Sequence, residues 1–234
     1  MFFGDMLMWL FVAPAIILAL VAQGMVSSAY RRMSQVAARM SGFAAARQIL
    51  DSAGLRNVPI EVVPGHMTDH YDPGSRILRL SPEVYEGRSM AAVGIAAHEA
   101  GHALQHAHNY ALMGLRSMAV PMAQIGSGLG AMVASLGVFL MFSAVPLGRF
   151  ILLAGILLYA GVVAFQLINL PVEFDASARA KRLLVSEGII RQDEVGYVSK
   201  VLNAAALTYV AATLQSVLQL AYFIFRFSGS RSEE

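Results

Sequence analysis

His98-Glu99-Ala100-Gly101-His102 places two imidazoles four residues apart, with a carboxylate beside the first. On an α-helix, residues four apart stack one above the other on the same face. Two neutral nitrogens can then meet one cation, and Glu99 can reach a water beside it. Zinc hydrolases need this set: nitrogen ligands, an open coordination position and a carboxylate general base. With six His and nine Glu in 234 residues, chance produces such a match on the order of 0.01 times per chain.

The element that must carry the motif is a helix. Ser89 is a suitable N-cap, and Met90–Leu104 contains no Pro and only two Gly. Two histidines leave a zinc site one protein ligand short. The chain has no Cys, so the missing ligand must be His, Asp or Glu. His106, one turn further along the same face, is one candidate, either as a ligand or as a group supporting the ligands. Glu173 and Asp175 follow Pro171, where acidic residues also suit the first turn of a helix without any metal. His108 falls off the motif's face, and His66 and His70 read as loop residues of a hairpin.

Composition points to a membrane. Hydrophobic residues make up 57% of the chain and charged residues 14%, against about a quarter charged in a globular domain. A net charge of +2, with the basic residues dispersed, argues against nucleic acid as a partner. Four apolar stretches reach the roughly 20 residues that a bilayer requires: 6–26, 119–142, 150–170 and 204–227. The second is rich in Gly, Ala and Ser, which lets helix backbones approach closely. No Lys or Arg precedes the first stretch, whereas Arg31-Arg32 follow it. It is therefore expected to be an uncleaved anchor with its N-terminus outside.

Nine Arg lie in 27–117 and five Arg or Lys in 171–203, leaving Arg149, Arg226 and Arg231 elsewhere. Basic loops stay in the cytoplasm, so both polar segments are expected inside, with two spans between them. The expected organisation is an anchor (1–26), a catalytic segment (27–117), a transmembrane hairpin (118–170), a second inner segment (171–203), and a fourth span with a tail (204–234). Within the first inner segment, 33–54 predicts one or two helices ending near Gly54, and Pro59–Val63 predicts a half-buried strand. Asp72-Pro73-Gly74-Ser75 predicts a turn between hairpin arms 66–71 and 76–80. In the second inner segment, Pro171 predicts a helix start and Gly188 a helix stop.

Ile77-Leu78-Arg79-Leu80-Ser81-Pro82-Glu83-Val84-Tyr85, the HEAGH motif, and the later Leu170-Pro171-Val172-Glu173-Phe174-Asp175-Ala176-Ser177 together resemble the membrane zinc metallopeptidases of the YugP type. The likeness runs over nearly the whole chain. It is also similar in plan to the HtpX and CAAX-type membrane proteases. The resemblance implies a zinc site of His98, His102 and Glu173, with Glu99 as general base. In the wider group an Asp usually stands four residues after the ligand Glu; here that position is Ser177, which leaves Asp175 as the acidic residue to support the site or bind the metal.

The resemblance further implies an integral membrane zinc metalloendopeptidase. It would be a hydrolase that cleaves peptide bonds of membrane or membrane-proximal proteins with a zinc-activated water. The strand Arg76, Ile77, Leu78, Arg79 and Leu80 is expected to offer its edge to an extended substrate. Arg179, Tyr197, His66 and His70 are the candidate donors to a developing oxyanion. The expected fold is a mainly α membrane protein: about four transmembrane helices with a small α+β, zincin-like catalytic unit on the cytoplasmic side. Its partners are the lipid bilayer and a membrane-associated peptide or protein substrate. Two alternatives remain: a metal-handling helical bundle, and a catalytically inactive, zinc-stabilised scaffold. The first would place ionisable residues inside the spans, which are nearly free of them; the second would not need Glu99.

Overall fold

A computed structural model describes residues 6–229 and is mainly helical. The elements in chain order are α1 (Met6–Met33), α2 (Gly42–Ser52), β1 (Ile60–Val62), β2 (His70–Asp72), β3 (Ile77–Leu80), α3 (Pro82–Tyr85), α4 (Met90–Ala107), α5 (Ala111–Ile125), α6 (Ala131–Phe142), α7 (Leu147–Ser186) and α8 (Val195–Gly229). Four helical stretches are long and apolar enough to cross a membrane: Met6–Met33, Ala111–Phe142, Leu147–Ser186 and Gln192–Gly229. Each contains one of the expected spans and is longer than it. Helical hydrogen bonding does not stop where hydropathy falls, so α1 runs on through Arg31 and Arg32.

The chain divides into two compact units, with α1, α5, α7 and α8 each contributing to both. One comprises residues up to Val21, Leu115–Leu170 and the chain from Tyr209 onward. Its core joins Ala134, Val138, Leu152, Tyr159, Tyr222 and Phe223. Its outer surface is apolar, with Leu10, Phe150 and Leu157 about 70% exposed, as expected of side chains that meet lipid rather than water. A π-helical turn, Gly126–Gly130, joins α5 to α6. At its first residue and again beyond its end the backbone lies close to α7, with Gly126 beside Leu158 and Gly137 beside Leu152.

The other unit comprises Ala22–Gly114 and Pro171–Thr208. Its core is built from Ile49, Leu50, Leu78, Leu80, Val93, Ala97, Val172, Leu184 and Val198. Ser41 caps α2 and Ser89 caps α4, each side chain accepting from the backbone N–H three residues on. Residues between α1 and α2 are not helical; Ala37 instead bridges to Ser89. The hairpin forms around an Asp72 turn. Asp72 accepts from the Gly74 N–H at 2.9 Å, the Ser75 hydroxyl at 2.6 Å and Arg79 Nη1 at 3.0 Å. Those bonds hold its carboxyl below the usual carboxylate range.

Two expectations are corrected here. The sheet order is β1-β3-β2, with β1 parallel and β2 antiparallel to β3. Ile77–Leu80 is therefore the central strand, and both of its edges carry a neighbour. The segment Arg76, Ile77, Leu78, Arg79, Leu80 has no free edge for strand addition, and the sheet's edges are β1 and β2. Pro171 does not start a helix either: it lies inside the 40-residue α7. A proline ring removes one N–H from the ladder, which membrane helices tolerate when packing sustains the helix on both sides.

Candidate metal centre

The site is built by α4 and, in a chain without cysteine, the chemistry of its neighbours is simple: imidazoles, carboxylates and amides. Along α4, His98 and His102 project from one face with ring centroids 4.7 Å apart and planes at 85°. Glu173 comes from α7. Its Oε2 lies 3.2 Å from His98 Nε2 and 3.4 Å from His102 Nε2. A packing contact explains why α7 comes this close. A Cβ on Gly101 would sit 2.9 Å from the Ala176 carbonyl oxygen, so only glycine permits this approach. Ala176 is three residues past Glu173, which brings the Glu173 carboxylate up to the histidine pair.

The donor atoms of His98, His102 and Glu173 lie within 4.8 Å of one another. Tetrahedral zinc with bonds of about 2.0–2.2 Å separates two ligand atoms by about 3.4 Å. The two nitrogen–oxygen separations meet that requirement, and two nitrogens with one carboxylate form a recognised catalytic zinc set. Glu173 is 2% exposed and His102 5%, so neither carboxylate nor imidazole has ample water as an alternative partner. The residues present fit zinc.

The far nitrogens of both imidazoles are engaged. His98 Nδ1 meets Ser177 Oγ at 3.1 Å, and His102 Nδ1 meets Gln105 Oε1 at 2.9 Å. Gln105 Nε2 donates to the Val172 carbonyl and to Asp175 Oδ2, both at 2.8 Å. Arg179 Nε then donates to the same Asp175 oxygen at 2.5 Å. Asp175 thus reaches His102 only through Gln105. It stands one group further from the cluster than expected, because it lies about 200° around α7 from Glu173.

Glu99 faces the hairpin. Its Oε2 accepts the backbone N–H of Tyr71 at 3.0 Å. Burial pushes the Glu99 carboxyl up to about 6; His98 opposes this, while the charges of Glu173 and Asp69 add to it. Asp69 anchors the hairpin, accepting the Ser81 N–H at 2.7 Å and the Ser81 hydroxyl at 3.1 Å. Burial raises its carboxyl too. His106 is not part of the donor cluster. Its Nδ1 meets the Tyr71 hydroxyl at 2.9 Å, so it ties the end of α4 to β2 rather than supporting a ligand.

The expected oxyanion donors make other contacts. Arg179 serves Asp175 and lies over the Tyr110 ring. His66 pairs with Glu83 at 3.1 Å, and His70 Nδ1 meets the Thr68 carbonyl at 2.8 Å. Tyr197 carries Lys200 over its ring. Sequence reasoning missed Gln105, Asp69 and the Tyr71 N–H. Gln105 sits three residues after His102, within reach of its ring, and that spacing was the one available signal.

A family model described as "Putative neutral zinc metallopeptidase" matches residues 8–228. A protein of Bacillus subtilis (strain 168), named "Putative membrane protease YugP", is 47% identical over 214 residues, covering 91% of this chain and 92% of the relative. No solved structure matches. The HEAGH helix, the Glu173 segment and an alignment that runs over nearly the full length of both chains lead to one conclusion: the chain belongs to this neutral zinc metallopeptidase family.

Proposed function

We propose that the protein is an integral membrane zinc-dependent endopeptidase that hydrolyses peptide bonds of membrane or membrane-proximal proteins. The observation that carries this is the His98–His102–Glu173 cluster, with Glu99 next to His98 on the same helix and near enough to feel the charges of His98 and Glu173. Zinc bound by those three residues supplies a Lewis acid that polarises a carbonyl and acidifies water. The chain's own part is proton handling. The Tyr71 N–H holds Oε2 of Glu99, leaving Oε1 to accept a proton from water and pass it to the leaving amine. A carboxyl raised to about 6 by burial is ionised at neutral pH, yet more basic than an ordinary glutamate. The far nitrogens of His98 and His102 are hydrogen-bonded to Ser177 and Gln105, which holds each ring with Nε2 toward Glu173.

The basic residues of 27–117 and 171–203 support a cytoplasmic active site, and a zincin-like plan is supported by a sheet and an HExxH helix within one unit. The apolar spans support substrates that are themselves bound to the membrane. The test is metal analysis and proteolysis with the purified chain in detergent, wild type against Glu99→Gln, alongside comparative proteomics of membranes carrying each. The expected result is one zinc per chain in both proteins, turnover in the wild type alone, and uncleaved substrates accumulating with the variant. Equal turnover by Glu99→Gln overturns the proposal.

A further inference from the structure

We propose that Gln105 is a positioning residue that fixes the tautomer of His102, and that it is itself oriented by Val172 and Asp175. This rests on the metallopeptidase reading above and deepens it. The two ends of a glutamine amide have nearly the same shape, so neighbours must decide its orientation. Here they leave no choice. One end faces the Val172 carbonyl oxygen and Asp175 Oδ2. A carbonyl oxygen can only accept. Asp175, with Arg179 Nε at 2.5 Å, is ionised and can only accept as well. The NH2 group must occupy that end, and both of its hydrogens are used there.

The other end is then the amide oxygen, an acceptor, and it faces His102 Nδ1 at 2.9 Å. An acceptor opposite a ring nitrogen requires a proton on that nitrogen. His102 is therefore held with hydrogen on Nδ1, and its Nε2, the atom facing Glu173, is the one that offers a lone pair. Gln105 is 0% exposed, so no water can substitute at any of its three bonds. An apolar residue there would take away the partner of His102 Nδ1 and the extra bond to the Val172 carbonyl.

The other ligand is treated differently. His98 Nδ1 meets Ser177 Oγ, a hydroxyl that can donate or accept and so dictates no tautomer. The two imidazoles are thus unequal: His102 is locked through three groups, and His98 has a partner that adapts. Loss of Gln105 should weigh more on metal binding than loss of the Ser177 hydroxyl.

The experiment measures zinc affinity by chelator competition and the visible spectrum of the cobalt(II) form, on the full chain in detergent, with thermal melting of the metal-free proteins as the folding control. Gln105→Met keeps the side chain's length and removes its hydrogen bonds. It should weaken zinc binding by on the order of 10–100-fold and alter the cobalt spectrum. Ser177→Ala should fall short of that loss. Asp175→Ala, at a partly exposed position, removes one of the two acceptors and should weaken binding in the same direction, and the double variant should bind no worse than Gln105→Met alone. Wild-type affinity and an unchanged spectrum in Gln105→Met overturn the proposal. If Gln105→Met does not fold, Asp175→Ala decides: unchanged affinity overturns it. Zinc content in His102→Ala equal to that of the wild type would instead sink the metal site itself, whatever Gln105 does.

Discussion

The backbone N–H of Tyr71 donates to Oε2 of Glu99 at 3.0 Å, and the Tyr71 hydroxyl meets His106 Nδ1 at 2.9 Å. One residue of an edge strand thus grips the motif helix at two points, seven residues apart. The first grip orients the carboxylate; the second anchors the strand that supplies the donor. The orienting group belongs to the backbone, so substitutions at Tyr71 that keep the strand keep the contact, and only proline removes it.

The burial of Glu99 has a cost that can be measured. Its carboxyl is raised to about 6, so the metal-free fold prefers it protonated. A raised acid contributes stability that is fully present below its unfolded value, near 4.5, and is lost as pH rises through 6. Glu99→Gln should therefore stabilise the metal-free protein above pH 6 by about 2 kcal/mol. The two proteins should melt alike at pH 4. For the loaded enzyme, activity should fall with acidity along a limb centred at or below pH 6, since a bound cation favours the ionised form. A limb centred near pH 8 would exclude Glu99 as the group responsible.

Glu173 and Asp175 separate cleanly as predictions. Glu173→Ala removes a donor that lies 3.2 and 3.4 Å from the two histidines, and zinc should be lost from the purified protein. Asp175→Ala removes a group that touches Gln105, and a loss of affinity on the order of 10-fold is expected. Bound zinc measured in both variants checks this. Full occupancy in Glu173→Ala would transfer the third ligand to another residue.

Gly101 sets the distance between α4 and α7. A Cβ there meets the Ala176 carbonyl, which is backbone and cannot swing away. Gly101→Ala should destabilise the fold by roughly 1–3 kcal/mol and lower zinc affinity at the same time, because Glu173 rides on the displaced helix. Gly114→Ala, where no atom lies within 4 Å, is the control and should change neither. Thermal melts and zinc titrations of the pair test the coupling.

Topology can be checked with engineered thiols, since the chain has no Cys. Ser143→Cys, in the short turn between the second and third spans, should react with an impermeant reagent in intact cells. Ser52→Cys and Ser186→Cys should react only after permeabilisation. Labelling of the latter two in intact cells would invert the orientation.

What could be seen in the sequence was whatever depends on near neighbours. The spacing of His98 and His102, the Ser89 cap, the Asp72 turn and the four apolar runs are all local, and each has a counterpart in the structure. The position of Glu173 came from likeness to a family, since nothing in residues 171–177 alone separates a ligand from a helix-dipole carboxylate. The central place of β3 could not be seen: it depends on Ile60–Val62 pairing in parallel with Leu78–Leu80, a match across 18 residues that leaves no periodic trace. Pro171 misled because its local preference for a helix start is weaker than the packing that carries α7 through it. Gln105 went unnoticed because an amide gains its meaning only from the two acceptors that face it.

The π-helical turn at Gly126–Gly130 makes the length of the second span an angular setting. Such a turn accommodates one residue more than an α-helix would, and each residue of an α-helix advances by about 100°. Gly126 at its start and Gly137 beyond its end both meet α7, and the extra residue between them sets their relative phase. Deleting a single residue here would not shorten the span so much as rotate α6 about its own axis, swinging Gly137 and Ala134 away from Leu152 and Gly155 and turning Phe139 and Leu140 toward new neighbours. A one-residue change in this stretch is a change of bearing, as consequential as a substitution at the contact itself.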